Sequence, residues 1–148
     1  MKGCVLCDPG LGPILAETTH WRLVLNERNQ NLLGKCFLAL HRHEEDVTAP
    51  SAEEWADLRA GIALATGALQ SAFAPDHFNY AFLQNMDRHV HLHVLPRYAG
   101  SRRFSGETFE DTRYPDHYEP FAARPLGADE TAQLAALLRG HAVQATRG

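Results

Sequence analysis

The chain has only three cysteines and two methionines in 148 residues, and no apolar run approaches the roughly 20 residues that cross a bilayer. Three cysteines cannot all pair with one another, and a chain of this length can bury a core without a disulfide framework. Charge of one sign is not concentrated anywhere: 14 basic residues stand against 18 acidic ones, a net −4, with no long run of either. That balance gives no electrostatic reason to bind nucleic acid or an anionic membrane, although a few local groups could hold a small anion. No internal repeat, low-complexity tract or basic-then-apolar leader is visible. The expectation is therefore one soluble, cytoplasmic domain over residues 1–148.

Histidine, by contrast, is plentiful. There are nine, and five cluster: His41 and His43 in "HRH", and His89, His91 and His93 in "HVHLHVL". On a strand successive side chains point to opposite faces, so the three histidines share one face and Val90, Leu92 and Val94 the other. Such a stripe could be a solvated polar face. It could be a metal site completed by a carboxylate such as Asp87, Glu44 or Asp46. It could also be a catalytic site, in which one imidazole accepts a phosphoryl group while a neighbour fixes its tautomer. Separately, "CVLC" places Cys4 and Cys7 in a CxxC arrangement that suits a metal or a redox pair, though the βαβ context of a redox motif is missing. Cys36, inside an apolar run, reads as a small core residue.

The periodicities place these residues on elements. "WRLVLN" alternates as a strand does, residues 27–31 form a polar loop, and "KCFLAL" after Gly34 reads as a short buried strand delivering His41 and His43. Ser51, with Glu54 three residues on, forms a capping box for a helix over residues 51–73, whose apolar face is Trp55, Leu58, Ile62, Ala65, Leu69 and Phe73. Pro75-Asp76 ends it. "FNYAFLQ" then forms a hairpin with the histidine strand, which Pro96 closes. Residues 99–125 are turn-rich and irregular, and a second helix starts near Asp129 with Leu134, Leu137 and Leu138. Strands that neighbour in pairs predict an α+β fold: an antiparallel sheet of about five strands, a long helix and a C-terminal helix.

The run from His89 to Leu95 fits His-φ-His-φ-His-φ-φ, with φ apolar, at every position, and on it the chain resembles the histidine triad family. "GKCFLALHRH" is similar to the family's glycine-led strand ending in histidine. The helix over 51–73 falls where the family has its long helix, and "CVLC" resembles the CxxC of its bacterial zinc-containing members. The resemblance covers residues 4–100; the tail over 101–148 carries no motif. It implies a histidine triad fold, a homodimer, and cleavage of a nucleotidyl phosphoanhydride or phosphoramidate bond through a covalent nucleotidyl-histidine.

Carried over by position, the resemblance makes His91 the nucleophile and His93 the histidine facing the substrate phosphate. It makes Cys4, Cys7, His43 and His89 the ligands of a structural zinc. Asn26, or Asn29 if the loop shifts the match, falls at a ribose-binding position, and Gln84 or Asn85 at that of a side-chain amide. His41 shares a face with His43 and could be a ligand, a phosphate contact or exposed. Two departures stand out. "QNMDRH" replaces a longer glycine-rich linker, removing phosphate contacts for which Arg88, Arg97, Arg102 and Arg103 are candidate replacements. Lys35 stands where many relatives have histidine, and either holds phosphate or alters the leaving-group preference. A nucleotidyl transferase, a zinc-stabilised nucleotide-binding module without turnover, and a metal-dependent hydrolase or oxygenase using the triad as ligands are the alternatives.

Overall fold

Five of the apolar runs become one antiparallel sheet in the computed structural model, which describes residues 3–8, 10–118 and 123–147. Its strands are β1 (Ile14–Glu17), β2 (Trp21–Leu25), β3 (Cys36–Leu40), β4 (His77–Ala81) and β5 (His91–Arg97), in the order β1-β2-β3-β5-β4. Helix α1 (Ala52–Phe73) links β3 to β4, and α2 (Ala128–Arg147) follows the sheet. The Ser51 hydroxyl accepts from the Glu54 amide while the Glu54 carboxylate accepts from the Ser51 amide, so the expected capping box is formed.

Three details differ from the expectation. β1 was not anticipated, being four residues long with a bulge between Ile14 and Ala16 that blurs its alternation. Within the stretch expected to be irregular, β6 (Arg102–Phe104) and β7 (Glu107–Phe109) form a separate two-stranded hairpin. The histidine strand starts at His91 and runs through Pro96 to Arg97. Proline is tolerated there because pairing with β3 ends at Val94, leaving only β4 beside it.

The sheet has two chemically different faces. Trp21, Leu23, Leu38, Leu92 and Val94 join Leu58, Leu69, Phe73, Leu134 and Leu138 in the core beneath the two helices. Gly34, which leads β3, has φ +91°, and a Cβ there would lie 2.2 Å from Leu69 Cδ2, so the strand enters against α1 only as glycine. On the other face Val24, Phe37 and Ala39 pack with Leu6 from the N-terminal segment. Register pairs Phe37 with His93 and Ala39 with His91, which makes this second face the histidine face.

Candidate active site and metal centre

His91 is almost fully buried at the start of β5, and its Nδ1 lies 2.7 Å from the His89 carbonyl oxygen. A carbonyl can only accept, so Nδ1 carries the proton and Nε2 presents a lone pair. That Nε2 is 3.1 Å from Nε2 of His93, which completes the contact as the donor. Burial, then the neighbouring His91 and Lys35, push the His93 imidazole down to about 4, so it is neutral at pH 7. Phe37 packs edge-on against His91 at 5.9 Å and at a tilt against His93 at 6.4 Å, fixing both rings from β3.

The two histidines open into a cleft with about 620 Å³ of empty space, part of it open solvent. Val5, Leu6, Leu11, Leu25 and Phe37 give it an apolar side, and Asn26, Glu27, Arg28 and Asp87 a polar rim. Arg28 is the one Lys or Arg among the described lining residues. The rim is held by Gln30, which is fully buried: its amide donates to the carbonyls of Asn26 and Lys35, each at 2.8 Å, and accepts from the Gly34 amide at 2.7 Å.

His89 does not join this pair. Its ring turns toward the N-terminal segment, where Nδ1 lies 3.4 Å from Cys4 Sγ and 3.5 Å from Cys7 Sγ. His43 Nδ1 is likewise 3.4 Å from Cys7 Sγ, and the four ligand atoms all lie within 4.8 Å of one another. Ligand atoms about 2.0–2.3 Å from a tetrahedral ion stand about 3.3–3.8 Å apart, so these close pairs already have that spacing. Both rings are oriented from behind: His89 Nε2 donates to the Leu40 carbonyl at 2.7 Å, and His43 Nε2 to the Glu45 carboxylate at 3.3 Å. Each Nδ1 is thereby left as an acceptor facing the thiols, as metal-bound imidazoles require. Burial, followed by the neighbouring Cys4, raises the Cys7 thiol above its ordinary value, and burial lowers the His89 imidazole, each shift favouring the neutral form. Two thiols and two imidazoles so arranged fit a four-coordinate zinc.

The metal cluster and the cleft share parts. Val5 and Leu6, between the two cysteines, form cleft wall, and the carbonyl that fixes the His91 tautomer belongs to His89. Sequence reasoning did not single out Phe37, Leu6, Glu27, Arg28 or Gln30. Phe37 was findable from strand alternation on "KCFLAL"; the others depend on how two loops fold over the sheet.

The remaining candidates fall elsewhere. Lys35 shares the β3 face with Phe37 and acts on His93 electrostatically, but does not line the cleft, and burial lowers its ammonium. Gln84 donates to the Glu45 carbonyl at 2.8 Å, and neither it nor exposed Asn85 lines the cleft. Asn29 accepts from the amides of Asn31 and Arg124, a loop-holding task, whereas Asn26 lines the cleft. His41 lies 3.8 Å from Glu17 and outside the metal cluster. Arg97 is committed to Asp111 and Asn79, Arg102 to the carbonyls of Phe73 and Ala74, and Arg103 to Gly106, so none replaces lost phosphate contacts. Arg88 borders the outer side of the metal cluster. Glu44 is occupied by Arg42 and two backbone amides, and with His89 turned away the three histidines do not converge on one ion.

No protein-family model matches the sequence, and no curated protein matches it. The structure has clear likenesses. A hypothetical histidine triad nucleotide-binding protein from Sulfolobus tokodaii superposes with TM-score 0.75 at 17% identity, over 97% of this chain and 95% of that one. A histidine triad protein from Sinorhizobium meliloti gives 0.71 at 20% identity over 88% and 89%. A zinc-bound histidine triad family protein from Mycobacterium smegmatis gives 0.65 at 22% identity over 98% and 96%. The chain has the histidine triad fold.

Proposed function

We propose that this chain, built on the histidine triad fold, is a member of that family which binds a nucleotide in the cleft and cleaves the bond to its α-phosphorus through His91. The observation that carries this reading is the His91 ring itself. Its Nδ1 proton is held by the His89 carbonyl, and its Nε2 lone pair faces the cleft beside His93. A neutral imidazole needs no deprotonation to attack. Nε2 forms a bond to phosphorus as the bond to the leaving group breaks, and water then hydrolyses the nitrogen–phosphorus bond and regenerates the imidazole. The Nε2–H of neutral, half-buried His93 passes from the His91 lone pair to a phosphoryl oxygen as substrate enters, which frees that lone pair to attack, and Arg28 supplies positive charge at the rim. Asn26 takes the ribose side, and the apolar wall of Val5, Leu6 and Phe37 takes the base.

Cys4, Cys7, His43 and His89 would hold a structural zinc, which as a closed four-ligand site supplies a cross-link and no reactive position. The open outer edge of β4, with Leu83 and Met86 exposed beyond it, supports the homodimer that the resemblance implies; sedimentation equilibrium would read it directly.

The catalytic reading is tested by mixing the protein with a labelled adenine dinucleotide or adenosine phosphoramidate, quenching rapidly, and mapping the label. The expected result is an acid-labile adduct on His91 that is absent from His91→Ala. An intact fold with neither adduct nor product over both substrate classes would leave only nucleotide binding.

A further inference from the structure

The short turn Val5–Cys7 does two jobs at once. Val5 and Leu6 wall the cleft, and buried Leu6 packs with Phe37, the ring that steadies His91 and His93. The cysteines on either side of these two residues tie the turn to the sheet. Cys7 Sγ is 3.4 Å from Nδ1 of His43, 36 positions away in the chain, and Cys4 Sγ is 3.4 Å from Nδ1 of His89, 85 positions away. Beyond these contacts the Leu6 carbonyl accepts from Arg22 at 3.1 Å.

The same two sulfurs are placed to bond to each other. The Cys7 amide donates to the Cys4 carbonyl at 3.1 Å, which closes a turn whose end Cα atoms stand within about 7 Å, the reach of a disulfide. Both sulfurs belong to the group of ligand atoms that lie within 4.8 Å of one another. Neither cysteine is sealed from solvent. Cys4 lines a cavity on the outer side of the cluster, with about 580 Å³ of empty space, part of it open solvent. Val5 lines both this cavity and the cleft, so one turn separates them. Cys36, by contrast, is 1% exposed, and burial pushes its thiol up to about 12, which leaves it inert to oxidants in water.

We propose that Cys4 and Cys7 form a modification site for hydroperoxides, whose oxidation to a disulfide frees the N-terminal turn from the sheet and loosens the cleft. The Cys4 sulfur attacks the terminal peroxide oxygen, the O–O bond breaks, and a sulfenic acid and an alcohol form. The Cys7 sulfur then attacks the Cys4 sulfur and displaces water. Two thiols and one hydroperoxide thus give one disulfide, one alcohol and one water, the two electrons passing from sulfur to the peroxide bond. Sulfurs so joined are no longer thiolate ligands, and two imidazoles alone do not make a closed four-coordinate site. The exchange is one of range. A metal on all four residues ties the turn to His43 and His89, far off in the chain, whereas the disulfide closes a loop inside a single turn and anchors it to nothing. The effect on the cleft rests on the nucleotide and zinc readings above.

The test treats the reduced, zinc-loaded wild type with hydrogen peroxide. Zinc release is read with a metal-sensitive dye, thiols are mapped by alkylation and mass spectrometry, and melting temperature and AMP affinity are measured before and after. Zinc is expected to leave as the Cys4–Cys7 disulfide appears, with Cys36 still reduced. The oxidised protein should melt with the chelator-stripped one and bind AMP at least about fivefold more weakly, and dithiothreitol with zinc should restore both. Cys36→Ala should respond as the wild type does. Reduced protein that holds no zinc, zinc retained through oxidation, a disulfide through Cys36 or between chains, or an oxidised protein that melts or binds AMP as the zinc-loaded one does would each overturn the switch. If the reduced protein binds no AMP, the nucleotide reading falls, and zinc release, the disulfide map and the melting temperature still decide the switch.

Discussion

His93 carries the clearest pH signature of any single residue in the site. Its folded value of about 4 is below the ordinary 6.5, so between these values the unfolded chain binds more protons than the folded one. The stability it contributes is therefore complete above pH 6.5 and is lost as pH falls toward 4. Denaturant unfolding of the wild type and of His93→Asn across that interval should show the steeper acid loss in the wild type. Equal slopes would mean that His93 is not held neutral by its surroundings. Gln30 is the other residue of consequence. Gln30→Ala strips partners from two carbonyls and one amide at the base of the cleft rim, and it should cost about 2–4 kcal/mol in urea unfolding. It should also weaken nucleotide binding, because Asn26 is one of the groups released. Neither role could be read from the sequence, where Gln30 is one polar residue in a polar loop; its importance comes from burial, which a local pattern does not report.

Among the elements, β3 shows most clearly how packing and site are joined. One side of it faces α1, and entry to that contact requires the positive φ and missing Cβ of Gly34. Gly34→Ala is expected to destabilise by about 2–4 kcal/mol through backbone strain and collision with Leu69, again by urea unfolding. A smaller cost would show that α1 can shift away. The other side of β3 carries Phe37 to the histidine rings. Helix α1, by contrast, was legible almost to the residue, because capping chemistry and 3.6-residue periodicity are local. β1 and the β6–β7 hairpin were not legible, because each is three or four residues long and owes its strand form to its partner.

Taken whole, the molecule ties its N-terminus to its chemistry. The cysteine pair holds Val5 and Leu6 against the cleft, and His89 lends its ring to the cluster and its carbonyl to His91. Stripping metal with a strong chelator should therefore lower the melting temperature and weaken nucleotide binding together, and zinc should restore both. Cys7→Ala should reproduce the stripped state, whereas His91→Ala should keep its zinc by elemental analysis. A chelated protein that melts and binds as before would detach the cluster from the cleft.

The sequence by itself determined which residues could do chemistry and which elements carry them, since residue type, alternation and capping are properties of a few neighbouring positions. The spacing of "HVHLHVL" placed His91 and His93 on one strand face, and "CVLC" supplied two thiols. Only the tertiary structure decided how the histidines divide, because His89 turns on a bond to Leu40 and on thiols more than eighty positions away in the chain. It also decided which arginine meets the cleft. Arg97, which the sequence places beside the motif, is consumed by Asp111, while Arg28, in the polar loop over residues 27–31, is folded onto the rim. Partners distant in sequence are fixed by packing, and packing is where local pattern stops being informative.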